Sequence, residues 1–298
     1  MQPEPNDLLI FARVVEAGGF GRAAERLGLP KSTVSRRISA LEAALGERLL
    51  QRTTRKLVVT EFGQQLLGPA REIVGETEQA IALAESSRGQ ITGRLRVSMP
   101  GDLSAALSAT LARFVTDHPA VQLELDLTSR RVDLIAESFD AAIRTGALTD
   151  DPYLAARHLA DLSGGLCAAS RYLRRAGAPE HPDDLAAHAG LHLIGRDGEP
   201  TPWALSAGSD AWSGALVKRT LANGYDLLTW LAIGGAGVAA LPDIFAKPHL
   251  RSGALVALMP QWRMRPSPVW AVFPSRKFVP LKTRAFVDAV KAALAGVA

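Results

Sequence analysis

Residues 29–37, LPKSTVSRR, place a proline, three hydroxyl side chains and three cations immediately before the apolar-spaced run ISALEAALG of residues 38–46. Pro30 suits the first turn of a helix, because its missing N–H has no partner to lose there. Gly46 supplies the exit, so the spacing predicts a helix from Pro30 to Leu45. At 3.6 residues per turn, Val34, Ile38, Leu41 and Leu45 fall within an arc of about 60°. That stripe is the expected buried face. The opposite side carries Ser32, Arg36 and Ser39 at its centre, with Thr33 and Ser35 beside them and Arg37 near one margin. Taken alone, such a face reads as well as a solvated surface as it does as a surface that meets nucleic acid.

The neighbouring residues decide between the two. Upstream, Asn6 or Asp7 is expected to cap a helix with Leu8, Phe11, Val14 and Val15 at helical spacing, stopped by Gly18 and Gly19. A second short helix is expected in GRAAERLG (21–28), with Gly21 as its cap and Gly28 as its end. Downstream, LLQRTTRKLVVT (49–60) reads as two short strands around Thr53, Thr54 and Arg55, a hairpin with cations at its tip. Charge is concentrated in the same place. Residues 1–60 hold ten Lys/Arg against six Asp/Glu, leaving 24 of each sign in the rest of the chain, so the whole surplus of +4 lies in the first fifth. Helix, helix, basic helix and cationic hairpin together make a winged helix-turn-helix, in which one helix enters the major groove and the wing lies over phosphates. Arg36 and Arg37 offer paired donors to a guanine edge or to phosphates. Ser32, Thr33 and Ser35 bond either, and the Thr33 methyl suits thymine. Arg52 and Arg55 are expected to position the backbone.

Thr60 is placed to cap a long helix running to about Ser87. Phe62, Leu66, Ile73, Ala80 and Ala84 track one side, and Leu67, Ala70, Val74, Thr77 and Ile81 a neighbouring one. Such a helix extends about 40 Å. With no core of its own to lie against, it is expected to pack on a copy of itself, with a kink at Pro69. From Gly93 the pattern becomes alternation: LRVSM (95–99) and VQLELDL (121–127) flank the helix-like SAALSATLARFVTDHP (104–119). Strands around DAAIRTG, GGLCAAS, ALVALM and PVWAVFP and a last helix in LKTRAFVDAVKAALA continue it. Strand and helix alternating over some 200 residues predict an α/β fold of two lobes with a cleft.

Other function classes find little support. No Ser/His/Asp, paired-carboxylate or metal-ligand spacing stands out, so no enzyme, metal site or cofactor is expected. GAGVAA (235–240) matches a dinucleotide fingerprint, but YDLLTWLAIGG before it reads as a helix and VAALP after it as a strand, the reverse of what that fingerprint requires. A helix-to-strand turn is the expected reading. Cys167, the single cysteine, lies in an apolar strand without an adjacent cation and is expected to be a core residue rather than a redox sensor. MQPEPNDLLIF at the start lacks the layout of a secretory signal, and no run approaches the roughly 20 apolar residues of a membrane span. The expectation is a cytoplasmic protein with no membrane partner.

The stretch FARVVEAGGFGRAAERLGLPKSTVSRRISALEAALGERLLQRTTRKLVVTEFG (11–63) resembles the N-terminal domain of LysR-type transcriptional regulators. RRVDLIAESFDAAIRTG, DPYLAARHLADL, HPDDLAAHAGL, TPWAL and LPDIFAKPHLRSGALVALMPQW look like the effector domain of a large branch of that family, so the resemblance covers essentially the whole chain. It implies a winged helix-turn-helix (1–60), a dimerising linker helix (61–89) and a periplasmic-binding-protein-like effector domain (90–298), with lobe I at 92–161 and 268–298 and lobe II at 162–267. It also implies a transcription regulator, a dimer or a dimer of dimers, that binds double-stranded promoter DNA at an interrupted inverted repeat and responds to a small-molecule effector. RNA polymerase is a further expected partner. In the family the effector sits between the lobes. Carried over, that site comprises Ser98, Pro100, Gly101 and Asp102 in SMPGD, Thr128 and Ser129 in LTSRR, Arg144, Thr145 and Gly146 in IRTG, and Asn223 and Gly224 in LANGYD. Arg144 would pair with a carboxylate or be tied structurally. Asp102 departs from the common pattern: facing the pocket it would repel a carboxylate, and otherwise it would cap the helix that follows.

Overall fold

A computed structural model of the chain describes residues 4–52, 57–87, 91–135, 137–195, 198–274 and 279–296. The N-terminal head consists of α1 (Pro5–Glu16), α2 (Phe20–Leu27), α3 (Lys31–Leu45) and an antiparallel pair, β1 (Leu50–Arg52) and β2 (Leu57–Val59). Three helix starts differ from expectation. α1 begins at Pro5, before the expected caps, and neither Asn6 nor Asp7 caps it, because the Asp7 carboxylate turns inward to α3. α3 begins at Lys31, with Pro30 as the extended residue before it (ψ 139°). α2 starts after Gly19, one residue ahead of the expected Gly21 cap. Gly28 and Gly46 end α2 and α3 in the left-handed conformation, which costs glycine little.

Ile10, Phe11 and Val14 of α1, Ala23 and Ala24 of α2, and Val34, Ile38 and Leu41 of α3 form one core with Leu49. α4 (Glu61–Ser87) completes it with Leu67, Ala70 and Val74, a stripe at helical spacing. This corrects the expectation that the long helix has no core to lie against: its first half is part of the head. Burial of Leu67 and Val74 alone contributes on the order of 3–6 kcal/mol. The junction is fixed locally as well. Thr60 Oγ1 donates to the Arg48 carbonyl (2.6 Å) and accepts from the Gly63 N–H (3.0 Å), so Thr60 caps α4 as expected. Glu42 Oε1 accepts from the N–H groups of Leu49 and Leu50 and holds the first wing strand to α3.

The chain then passes through β3 (Gly93–Met99), α5 (Gly101–Ala106), α6 (Ser108–Asp117), β4 (Val121–Leu127), β5 (Ala141–Thr145) and β6 (Leu154–Leu162). After these come β7 (Gly164–Ala168), α7 (Ser170–Ala176), β8 (Gly190–Leu193), β9 (Trp203–Ala207), β10 (Asp210–Gly214), β11 (Arg219–Ala222) and α8 (Tyr225–Ile233). β12 (Val238–Pro242), α9 (Asp243–Arg251), β13 (Val256–Met264), β14 (Ser267–Pro274) and α10 (Leu281–Ala295) complete it. The helix expected over 104–119 is interrupted at Leu107, giving α5 and α6.

Among the described residues these strands form two sheets, a five-stranded one in the order β4-β3-β5-β14-β6 and a seven-stranded one in the order β10-β9-β13-β7-β12-β8-β11. The chain crosses between them twice, from β6 to β7 and from β13 back to β14, and the two crossings make two lobes. β3 runs parallel to β4 and to β5, so the ends of three neighbouring strands open on one side. Ligands of α/β sheets bind at such ends. Leu95, Val97 and Met99 alternate onto the core of the first lobe against Phe286, Val287 and Val290 of α10. In the second lobe Cys167 is buried, its Sγ 3.7 Å from the Ala239 carbonyl, and burial pushes its thiol up to about 12. GAGVAA is the turn from α8 into β12, where a Cβ on Gly237 would stand 2.4 Å from the Ala189 carbonyl oxygen. Among the described residues no helix is long and apolar enough to cross a membrane.

Candidate DNA-reading face and effector cleft

With Val34, Ile38 and Leu41 in the core, the other side of α3 faces away from the head: Ser32 and Arg36 are exposed, and Thr33 and Ser35 half-buried. Arg37 is placed differently from the expected reading role. Its Nη1 donates to Asp7 Oδ1 and to Glu4 Oε2, both at 3.0 Å, so the guanidinium ties α3 to α1. The local cause is the inward turn of Asp7 noted above. Arg55, Thr53 and Thr54 lie outside the described residues, and of Arg52 only the backbone is described.

The residues expected around the cleft converge from both lobes. The turn after β3, the turn after β4 and the turn between β11 and α8 meet at two hydrogen bonds. Asp102 Oδ2 accepts from the Tyr225 N–H at 2.9 Å, and Ser129 Oγ donates to the Asn223 carbonyl at 3.4 Å. Asp102 Oδ1 accepts from its own neighbour, the Leu103 N–H, at 2.7 Å. Asp102 therefore both faces the other lobe and sits in the first turn of α5, where Pro100 occupies the cap position. Burial raises its carboxyl above the ordinary range, against the lowering effect of the two amide donors. Gly224 is the cap residue of α8, and Tyr225, the first residue of that helix, stacks on Phe245 at 5.3 Å. Burial and the nearby Asp102 push the Tyr225 phenol up to about 12.

Other members of the expected set have structural engagements. Thr128 Oγ1 accepts from the Arg130 N–H, closing a turn, and Gly146 (φ +84°) lends its carbonyl to Trp270 Nε1 at 3.1 Å. Arg144 donates to the carbonyls of Arg130 (2.8 Å) and Val132 (3.3 Å). It braces the loop after β4, and those carbonyls compete with the expected pairing to a ligand carboxylate. Arg144 and Thr145 line a cavity of about 660 Å³ with Arg131, Thr149 and Tyr153. Ser98 Oγ is buried at the end of β3 and has no hydrogen-bond partner among the described residues. Among the described residues no group of His, Cys, Asp and Glu could hold a metal ion. The cross-lobe bond of Asp102 escaped the sequence reading, although α8 carried a signal: it opens at a glycine, which has no side chain to cap it.

Comparison with known proteins agrees with this architecture. Residues 5–64 match the bacterial regulatory helix-turn-helix protein, lysR family, and residues 88–295 match the LysR substrate binding domain. An HTH-type transcriptional regulator of Xanthomonas campestris pv. campestris is 37% identical over 97% of this chain and 85% of its own length. The structure of CrgA, a LysR-type transcriptional regulator from Neisseria meningitidis, superimposes with a TM-score of 0.61 at 32% identity, over 97% of this chain and 98% of that one. Full-length LysG from Corynebacterium glutamicum, solved with bound effector Arg, shares the fold at a TM-score of 0.64 and 19% identity, over 98% of each chain. The chain belongs to the LysR family of bacterial helix-turn-helix transcriptional regulators.

Proposed function

We propose that this regulator binds promoter DNA as a two-fold symmetric dimer, or a dimer of dimers, at an interrupted inverted repeat, and that a small molecule entering between the lobes changes that binding. As a family member it is a DNA-binding transcription regulator and not an enzyme. The observation that carries the reading is α3, whose apolar stripe is buried while Ser32 and Arg36 stand exposed, with Thr33 and Ser35 beside them. In this proposal Arg36 reads a base edge, Arg37 braces the head, and Arg52 and Arg55 lie over phosphates. Two-fold symmetry of the protein then demands matching half-sites.

The surfaces available for pairing support a dimer. Among the described residues β4 and β11 are edge strands; Leu127 at the end of β4, Leu227 and Trp230 of α8, which packs beside β11, and Val115 of α6 are exposed. Unpaired edges beside apolar side chains favour association with a second chain. The functional division is 1–60 for DNA, 61–89 for the linker and 90–298 for the effector, with the chemistry located in the cytoplasm, where promoter DNA and RNA polymerase are met. Effector binding between the lobes, at the turns carrying Ser98–Asp102, Thr128–Ser129 and Asn223–Gly224, biases the arrangement of the dimer only by its differential affinity for the two states. The bound effector of LysG supports ligand binding in this fold.

The test compares Arg36→Ala with Arg37→Ala. Loss of a base contact is worth ~1–3 kcal/mol, so Arg36→Ala is expected to weaken cognate operator binding by roughly 10- to 100-fold and non-cognate binding far less. Arg37→Ala is expected to lower the melting temperature of the head first. Equal loss on all DNA for both variants removes the base-reading role of Arg36.

A further inference from the structure

We infer that Asp102 is a built-in occupant of the interlobe cleft: its carboxylate takes the amide terminus of α8, holds the lobes together without a ligand, and excludes small carboxylates from that position. The inference rests on the cleft being the effector site, and it narrows the class of effector that site accepts.

Four observations carry it. First, α8 opens at Gly224 and has no side-chain cap of its own. The first N–H groups of any helix need external acceptors, and the end of the helix favours a negative charge. Second, the acceptor supplied to Tyr225 N–H comes from the other lobe, 123 positions away in sequence, as Asp102 Oδ2 at 2.9 Å. The second Asp102 oxygen is held by the Leu103 N–H at 2.7 Å, which fixes the carboxylate's orientation without help from a ligand. Third, two more amides near the start of α8 are bonded from within the helix. Leu227 N–H donates to Asp226 Oδ1 at 2.7 Å, and Leu228 N–H to the Gly224 carbonyl. Fourth, the residue that offers the donor is itself anchored within its lobe. The Tyr225 ring stacks on Phe245 of α9, with centroids 5.3 Å apart.

An incoming carboxylate would thus meet two fixed negative charges, Asp102 and Asp226, at a helix end whose Tyr225 donor is already bonded. Displacing Asp102 would leave that carboxylate half-buried with one donor fewer, a costly exchange of like for like. Effectors of this regulator therefore enter without a carboxylate at α8, and closure of the lobes does not wait for them.

The test is chemical rescue in the full chain. Asp102→Ala removes the internal carboxylate and is expected to lower the thermal midpoint of the tryptophan-containing domain. Sodium acetate at 100 mM, compared with sodium chloride of equal ionic strength, is expected to restore part of that loss in Asp102→Ala and to leave the wild type unmoved. A dissociation constant on the order of 10 mM would raise the midpoint by roughly 3–5 °C. Asp102→Ser, smaller and still polar, repeats the comparison should the alanine variant fail to fold. An unchanged midpoint in both variants, or an acetate response equal to that of the wild type, overturns the inference. Operator binding by the same proteins is measured in parallel. Its preservation while acetate fails separates an error about Asp102 from an error about the regulator itself.

Discussion

Gly63 makes a sharp test of how the linker helix meets the head. It lies in the first turn of α4, and a Cβ added there would stand 2.4 Å from the Leu49 carbonyl oxygen and 2.8 Å from Val59 Cγ1. Ordinary contact begins near 3.4 Å, so about 1 Å of movement is required. The carbonyl cannot yield freely, because it accepts from the Thr60 N–H at 3.0 Å. Overpacking of this kind costs ~1–3 kcal/mol, and lifting the first turn also strains the Thr60 cap, worth ~1 kcal/mol. Replacing a helical glycine by alanine returns roughly 0.5–1 kcal/mol. Gly63→Ala is therefore expected to destabilise the head by about 1–3 kcal/mol. Gly68→Ala, in the same helix with nothing within 4 Å of its Cβ, is expected to stabilise it by about 0.5–1 kcal/mol. The assay is urea unfolding of the full chain followed by circular dichroism at 222 nm and by fluorescence. All five tryptophans lie at positions 203–270, so fluorescence follows the effector domain while the head contributes to the helical signal alone. If Gly63→Ala matches or exceeds the wild type, α4 does not approach the wing as described and the argument fails.

Two further outcomes are expected. Arg130 pairs through both terminal guanidinium nitrogens with Glu137 and, with the Asp133 N–H, draws that carboxyl down to about 2. A lowered carboxylate stabilises above its ordinary value of 4.5, and the contribution disappears as pH falls through about 2. A pH series of melting temperatures should show this loss for the wild type, with Glu137→Gln giving a flatter profile; parallel profiles would deny the pairing. Cys167, buried with its thiol raised to about 12, should resist a thiol reagent in the native state and react fully in urea. Rapid native labelling would reopen an oxidant-sensing role.

What could be read from sequence follows the range of the forces involved. The α3 stripe of Val34, Ile38 and Leu41 and the stops at Gly28 and Gly46 are local matters of periodicity and backbone freedom, and the structure agrees with them. The stripe Leu67, Ala70 and Val74 was equally visible, but not the surface it lies on, because that surface is assembled from three other helices. The hairpin of β9 and β10 was missed for a different reason. DAWSG is largely solvent-facing, and its single aromatic sets up no alternation. Arg144 showed its charge but not its partners, which are backbone carbonyls that any sequence would supply. Asp102 was recognised as anomalous, and its destination was fixed only by a fold that brings position 225 beside it.

The burial of Leu67, Ala70 and Val74 in the head makes α1–α3 and the first turns of α4 one stiff lever. In the dimer proposed above, if it joins along the far part of that helix, the distance between the two proposed reading helices becomes a gauge set by the length and angle of the lever. A regulator built this way cannot adapt to a wider or narrower operator by swivelling its heads. Changing the spacing it recognises requires bending or re-registering the lever itself, so any signal from the effector lobes that moves α4 is transmitted to DNA as a change of span.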